Sequence, residues 1–194
     1  MQSLFILALL TSAHALPNIT STPLAPGTCQ GYPGWVPQPI GTLTQQFFFE
    51  ARDTSNISLD GLRCSISASS SQLVIYTDPT VAFNIWSCGG NGTVEDIHGG
   101  APLVFEGGEG EGELGYGGGG TGMGQSPEVF THEVAGVAQD GLFLGGGNSS
   151  TWGFELVEVK SGGNDSEYYR MRLLGAKTVL KNGELAGFVR IVAL

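Results

Sequence analysis

Hydrophobic and polar residues alternate over short stretches of this chain, and no stretch repeats its apolar residues with the 3.6-residue period of a helix. Runs rich in β-branched and aromatic residues are bounded by turn-forming residues. These runs occupy 43–51, 58–67, 71–77, 81–88, 128–136, 141–146, 151–160, 167–175 and 177–194. The pattern predicts an all-β fold, an antiparallel sandwich or barrel of roughly nine to eleven short strands.

Three short segments predict turns between these runs. Asn182-Gly183 favours the positive φ angles of a two-residue type I′ hairpin, which would join 177–181 to 184–192. Asp140-Gly141 is a second turn signal. At 78–80 the sequence Asp-Pro-Thr places proline in a turn-forming position. The chain therefore folds back at short intervals, as antiparallel sheets require.

A glycine-rich stretch interrupts the strand pattern at 107–125. Eleven of the eighteen residues at 107–124 are glycine, and the charged residues there are Glu109, Glu111 and Glu113. Acidic glycine-rich stretches of this kind are more often solvated than folded. We therefore predict a long, flexible loop between strands, kept soluble by its glutamates.

Two ligand motifs partly match this stretch. Gly110-x-Gly112-x-x-Gly115 has the spacing of the dinucleotide fingerprint, but Glu111 and Glu113 would repel a pyrophosphate, and the residues that follow cannot start a helix. Residues 107–115 match the calcium-binding nonapeptide repeat, except that Gly112 replaces its aspartate. The repeat unit occurs only once, whereas calcium sites of this type are built from stacked repeats. In an extended chain Glu109, Glu111 and Glu113 would share one side, where they could hold Ca²⁺. We expect no cofactor and no metal here.

The first residues predict export. An apolar run at 4–10 precedes the small-x-small sequence Ala13-His14-Ala15, which is typical of a signal peptide over 1–15. The run is shorter than the about 20 residues of a membrane-spanning helix. Residues 16–41 are rich in proline and predict an extended arm, and 42–194 predict a single β domain. We expect a secreted protein, extracellular or in a cell wall.

Glycosylation sequons and charge support that expectation. Sequons with no proline in the middle position occur five times, at Asn18, Asn56, Asn91, Asn148 and Asn164. The net charge is −10, and 64–159 contain twelve acidic residues and no lysine or arginine. Such a surface disfavours nucleic acid and anionic membranes as partners. The expected partner is a cell-wall polysaccharide or an extracellular protein.

The three cysteines predict one disulfide bond and one unpaired thiol in an oxidising compartment. Cys64 and Cys88 both lie in strand-like runs, so a Cys64–Cys88 bond is the first choice. A bond from Cys29 to either of them is the alternative, and it would attach the proline-rich arm to the domain. The odd cysteine could be buried, or it could link two chains as a dimer.

No catalytic residue is assigned. Glycoside hydrolysis needs two carboxylates across a cleft, and acids in strand-like runs alternate with apolar residues as solvent-facing residues do. His14 would leave with the signal peptide, and neither of the other two histidines lies in a metal-binding or nucleophile motif. Among the aromatic residues, Trp86 and Trp152 are expected in the core, and one ring of Tyr168-Tyr169 is expected on the surface. The acids and histidines in question are Glu50, Glu133, Glu155, Glu158, His98 and His132.

The short signal, the segment LVIY at 73–76 and the segment GMGQ at 122–125 resemble small secreted cell-wall glycoproteins of filamentous fungi, of the PhiA type. That resemblance implies a β-rich, non-enzymatic component of the wall or surface, and it carries over no site residues. The leading hypothesis is therefore binding at a cell wall or extracellular surface. The alternatives are a secreted β-fold enzyme acting on a glycan or small metabolite, and a barrel that binds a small ligand.

Overall fold

The structure, a computed structural model, describes residues 19–37, 44–89, 92–106, 112–117, 124–161 and 164–194. These residues form fourteen β-strands and no helix. Every pairing between named strands is antiparallel. The predicted all-β antiparallel fold is confirmed as a sandwich, and the described strands exceed the predicted nine to eleven.

The strands are short except near the end of the chain. In order they are β1 Ile19–Leu24, β2 Phe47–Arg52, β3 Cys64–Ile66, β4 Leu73–Tyr76, β5 Trp86–Cys88, β6 Val94–Asp96, β7 Leu103–Glu106, β8 Glu113–Tyr116, β9 Glu128–Val134, β10 Val137–Ala138, β11 Leu142–Gly145, β12 Trp152–Ser161, β13 Asn164–Leu173 and β14 Leu185–Ala193.

Strand β14 belongs to both layers of the sandwich. Its first part pairs with β12, through Leu185↔Phe154, Ala186↔Gly153 and Gly187↔Trp152. Its second part pairs with β2 on one side and β11 on the other. One layer therefore runs β1-β9-β11-β14-β2-β5-β6 and the other β14-β12-β13-β4-β3, while β7 and β8 form a separate hairpin. A strand that passes between sheets makes a corner of the sandwich.

The core lies between these layers and is built from large side chains. Phe47 and Phe49 of β2 are fully buried, and Phe49 stacks on Trp86 with 5.6 Å between ring centroids. Trp152 is fully buried as well, and its indole nitrogen donates a hydrogen bond to Leu144 O at 2.8 Å. The predicted core positions of Trp86 and Trp152 are confirmed. The Trp152 bond holds β12 against β11, whereas the indole nitrogen of the equally buried Trp86 has no hydrogen-bond partner among the described residues.

The proline-rich arm is not simply extended. Residues Ile19–Leu24 form β1, which pairs with β9 along its whole length, from Ile19↔Val134 to Leu24↔Val129. Tyr32 is buried and donates a hydrogen bond from its hydroxyl to Pro127 O at 2.9 Å. The arm therefore supplies an edge strand of the sheet, and the boundary at residue 41 stays a prediction.

The glycine-rich stretch contains an ordered strand. β8 pairs with β7, and Phe105 of β7 stacks on Trp152 at 6.0 Å. The Tyr116 amide donates to Ser71 O at 2.9 Å, and the Leu173 amide donates to Gly112 O at 2.8 Å. The flexible loop predicted for 107–125 is thus wrong at 112–117. The segments 107–111 and 118–123 lie outside the described residues.

The turns also differ in detail from their prediction. Ala135 and Gly136 both have positive φ and join β9 directly to β10, so the type I′ geometry occurs here rather than at Asn182-Gly183. At that second site only Gly183 has a positive φ, and no strand precedes the turn. Asp78 O accepts from the Val81 amide at 3.2 Å, so the Asp-Pro-Thr turn is confirmed.

The disulfide joins Cys29 to Cys88, with 5.6 Å between their Cα atoms. The first-choice Cys64–Cys88 bond is therefore wrong, and the alternative that attaches the arm is correct. Cys64 is fully buried, with its sulfur 3.8 Å from that of Met171. Burial raises the pKa of its thiol far above the usual value. This burial argues against the predicted disulfide-linked dimer, because a second chain cannot reach the sulfur.

Candidate ligand-binding pocket

A pocket of about 350 Å³ opens beside β3, β4 and the turn that follows β4. We call it the β3–β4 pocket. Its volume falls in the range of small-molecule sites, roughly 300–1,000 Å³. It is lined by Gly61, Leu62, Arg63, Ser65, Tyr76, Asp78, Pro79, Val81 and Ala82.

Strand alternation places the polar lining residues together. Ser65 pairs with Val74 in the β3–β4 ladder, and Tyr76 lies two residues after Val74 on the same face. Arg63 lies two residues before Ser65 and forms an isolated bridge with Glu50 of β2. Cys64 and Ile75 belong to the opposite face and are fully buried in the core. The pocket therefore lies on the outer face of the sandwich.

The turn after β4 presents one carboxylate. Asp78 Oδ1 accepts hydrogen bonds from the Thr80 amide at 2.9 Å and the Thr80 hydroxyl at 2.7 Å. These bonds, led by the one from the hydroxyl, lower the pKa of Asp78 below its usual value. Aspartate before proline is typical of the first position of a type I turn. The rim of the pocket therefore carries a negative charge held by local backbone geometry.

Arg63 lies over two phenylalanine rings. Its guanidinium carbon is 4.7 Å from the ring centroid of Phe48 and 4.2 Å from that of Phe83. These rings tilt against each other with 5.3 Å between centroids. Since Phe48 follows the buried Phe47 in β2, strand alternation turns its ring to the outer face. The two rings are not among the residues that line the pocket, and they form an aromatic floor beneath the Arg63 guanidinium.

Tyr76 provides an aromatic wall. Its ring is half-buried and tilts against that of Tyr168, its partner in β13, with 5.9 Å between centroids. Tyr169, the next residue, is buried, so the prediction that one ring of this pair faces outward is confirmed. Neither Arg63 nor Tyr76 was predicted from the sequence as a site residue. The period-two spacing of Arg63 with Ser65, that of Val74 with Tyr76, and the Asp-Pro-Thr turn are the signals that could have found them.

The acids considered for catalysis are not gathered in this pocket. Glu155 pairs with Arg170 at 2.7 Å and with Lys181 at 3.4 Å. Glu50 pairs with Arg190 at 2.6 Å and is largely buried, so its predicted solvent-facing position is wrong. Glu133 is exposed opposite Thr20 in the β1–β9 ladder, and Glu158 is exposed on β12.

Glu184 is a buried acid that sequence analysis missed. Its carboxylate accepts two hydrogen bonds from Arg172, at 2.6 and 2.7 Å, and one from the Lys181 amide at 2.8 Å. Burial alone would raise its pKa, but the bonds from Arg172 and Lys181 outweigh burial and bring the pKa below the usual value. This pair fixes the turn before β14 and does not line the pocket.

His132 and Ser150 form a buried polar pair. The His132 Nε2 and Ser150 Oγ atoms are 2.6 Å apart, and Ser150 donates to Ser21 Oγ of β1 at 2.8 Å. The imidazole stacks on Phe143 at 3.7 Å, and burial lowers its pKa to about 4. His132 and Ser150 are each 1% exposed, so a substrate cannot reach this pair. The pair links β9, the segment that follows β11, and β1, which carries Ser21.

Asp96 is the centre of a second polar cluster. It accepts hydrogen bonds from the Tyr116 hydroxyl at 2.5 Å, from the His98 amide at 2.7 Å and from Asn84 Nδ2. Burial would raise its pKa, yet these donors lower it overall. The cluster ties β8 to β6. It explains why a glycine-rich strand holds a defined position.

Of the three glutamates considered as Ca²⁺ ligands, Glu113 alone lies in the part of the chain that the structure describes. Glu109 and Glu111 lie outside the described residues, whereas Glu113 contacts Gln72 and lies 3.6 Å from Arg170. Within the described ranges no three acids, cysteines or histidines are grouped as metal ligands. None of the described residues forms a helix with the length and hydrophobicity of a membrane span.

Two predicted sequons lie in described turns. Asn56 Oδ1 accepts from the Ser58 amide at 3.1 Å and from the Ser58 hydroxyl at 2.9 Å. Asn148 is exposed at the tip of the 146–149 turn, with φ of 65°. Asn164 begins β13, and Asn18 and Asn91 lie outside the described residues. Their glycosylation stays a prediction.

Comparison with known proteins adds no family. No protein-family model matches this chain, and no curated protein sequence matches it. The resemblance to PhiA-type wall proteins stays a prediction. The pocket geometry must therefore carry the functional argument.

Proposed function

We propose that this protein is a secreted, N-glycosylated component of a cell wall or extracellular surface, and that it binds carbohydrate through the β3–β4 pocket. The observation that carries the proposal is the composition of that pocket. Tyr76 supplies an aromatic wall, Arg63 supplies donors and Asp78 supplies an acceptor, whereas the largely buried Ser65 hydroxyl already donates to Asn84 Oδ1. Sugars present both apolar ring faces and hydroxyl groups, so a site for them combines these two kinds of surface.

The same pocket favours binding over hydrolysis. Glycosidases place two carboxyl groups across the scissile bond, roughly 5–9.5 Å apart. Of the nine residues that line the pocket, Asp78 alone has a carboxyl group, and Oδ1 of that group is already bonded to Thr80. The arrangement suits recognition of a sugar hydroxyl rather than proton transfer to a glycosidic oxygen.

Export has independent support. The apolar run and small-x-small site at the start are typical of signal peptides. A disulfide between Cys29 and Cys88 fits an oxidising compartment. The exposed turn at Asn148 and the half-buried Asn56, in its Ser58-bonded turn, suit sequons on the surface of a secreted protein.

The test is binding of the glycosylated, secreted protein to insoluble chitin and to β-1,3-glucan, followed by calorimetry with soluble fragments of whichever binds. Tyr76→Ala should weaken binding about tenfold, equivalent to about 1.4 kcal/mol. Tyr76→Phe keeps the ring and should retain most of the affinity. Equal binding by wild type and Tyr76→Ala would place the ligand elsewhere.

The supernatants of the same binding experiments should contain no new reducing ends. Release of soluble product that a single Glu→Gln change abolishes would replace the binding proposal with the enzyme alternative. Retention of polysaccharide without product supports the proposal.

A further inference from the structure

Arg63 differs from most basic side chains of this acidic protein, because no carboxylate among the described residues pairs with it. The chain carries eight Lys and Arg residues against eighteen Asp and Glu residues. Ion pairs in the described part join Arg52 to Asp53, Arg170 to Glu113 and Glu155, Arg172 to Glu184, Lys181 to Glu155, and Arg190 to Glu50. Arg63 contacts two aromatic rings and no described acceptor.

Two candidate carboxylates, Glu50 and Asp78, each have another partner at one of their oxygens. Glu50 lies opposite Arg63 in the bridge between β2 and β3, but its carboxylate pairs with Arg190, at 2.6 Å from Nη2 and 2.9 Å from Nε. Asp78 shares the pocket, but its Oδ1 is bonded to Thr80. The guanidinium donors of Arg63 therefore have no acceptor among the described residues and are available to a bound ligand.

The aromatic floor restrains this guanidinium. Stacking on Phe48 and Phe83 limits the rotamers of a long side chain, so less entropy is lost when a ligand binds. A planar guanidinium matches a carboxylate with two parallel hydrogen bonds, which an ammonium group cannot do. A restrained arginine with free donors is thus suited to a bidentate carboxylate.

We infer that the β3–β4 pocket recognises an acidic sugar, one whose carboxylate binds Arg63 while its ring lies near Tyr76 and its hydroxyls reach Asp78. This inference rests on the proposed carbohydrate binding and names the class of sugar. Asp78 Oδ2 has no partner among the described residues and can accept from a sugar hydroxyl. The two opposite charges of the pocket then orient the ligand, with its carboxylate at Arg63 and its hydroxyls at Asp78.

The test compares an oligogalacturonide with its methyl ester, which has the same rings but no charge, by calorimetry on the intact protein. We expect the free acid to bind at least tenfold more tightly. Arg63→Gln should make the two ligands equal, and Arg63→Lys should restore only part of the preference. Arg52→Gln is the matched control, because it removes an exposed arginine outside the pocket and should leave the preference unchanged.

The outcomes separate this inference from the proposed function. Equal affinity for acid and ester, or a preference that survives Arg63→Gln, overturns the acidic sugar and leaves glycan binding intact. Competition by acetate as strong as that by the oligosaccharide also overturns it, because the sugar then contributes nothing. If neither oligogalacturonide, chitin nor β-1,3-glucan binds, both proposals fail. The ester comparison uses wild type, so it stands even if a variant misfolds.

Discussion

Individual polar residues in this protein differ widely in energetic weight, because burial decides what a hydrogen bond or ion pair contributes. The Glu184 side chain is 1% exposed and its partner Arg172 is 18% exposed, whereas Glu155 is 34% exposed. Removing one partner of a buried pair leaves an uncompensated charge, but exposed pairs contribute little. The two glutamates therefore form a matched pair for experiment.

Glu184→Gln should destabilise the protein by about 3–5 kcal/mol, since Arg172 would keep a charge that lacks its counter-charge. Glu155→Gln should cost less than about 1 kcal/mol, because water solvates that site. Urea unfolding monitored by tryptophan fluorescence measures both. Equal losses for the two variants would contradict the burial argument.

His132 predicts loss of stability in mild acid. Its folded pKa of about 4 lies below the unfolded value of 6.5, so the unfolded state binds the proton first. The contribution of the neutral His132 imidazole to the free energy of unfolding is complete above pH 6.5 and falls as the pH drops towards 4. Between pH 7 and pH 5 it should decrease by about 2 kcal/mol.

Unfolding free energies at pH 7, 6 and 5 test this prediction against His132→Gln, which cannot titrate. The difference between wild type and variant should shrink across that window. Carboxylates with a lowered folded pKa, such as Glu184, lose their stabilising contribution mainly once the unfolded carboxylate protonates near its usual pKa of 4.5, which lies below this window. A constant difference would show that His132 does not titrate as described.

At the scale of strands, sequence pattern located the elements that bury one alternating face and failed where long-range contacts create the element. Trp86 and Trp152 were placed in the core correctly, because their runs are apolar at that period. β8 was missed because its glycines show no hydrophobic period. Its position depends on hydrogen bonds to distant residues, from Tyr116 to Ser71 and Asp96 and from Leu173 to Gly112. The β3–β4 pocket was not predicted either, because β2, β3 and the segment around Phe83 meet only in the folded chain.

The close approach of β8 to β4 depends on Gly115. A Cβ added there would lie 2.7 Å from Ser71 O, a backbone atom that cannot easily move. Gly115→Ala should destabilise by about 1–3 kcal/mol through overpacking. Gly99→Ala is the control, because its Cβ would meet no atom within 4 Å, and it should change stability by at most about 0.5 kcal/mol. Thermal unfolding of both variants decides whether β8 contributes to the cooperative unit.

Over the whole molecule, the disulfide connects segments that no local rule pairs. Cys29 and Cys88 are separated by 59 positions, and their bond attaches the arm that carries β1 to β5. Sequence could state that two of three cysteines pair, but it could not choose among pairings that depend on the fold. The choice follows from where β1 and β5 lie.

Replacing Cys29 and Cys88 together with serine should lower stability by about 4 kcal/mol in the chain-entropy description of a loop of this length. Denaturation with and without the two substitutions measures the change. Thiol labelling provides the control, because native wild type should react only after unfolding, when the buried Cys64 becomes accessible. Labelling of native protein would mean that the pairing is different.

The shared position of β14 also bears on biosynthesis. Each sheet uses a different part of Leu185–Ala193 as an interior strand, with β12 on one part and β2 and β11 on the other. A nascent chain that has emerged from the ribosome only as far as residue 184 holds two incomplete half-structures with exposed aromatic cores. Neither half can close until Leu185–Ala193 has emerged, so both sheets become complete in the same step.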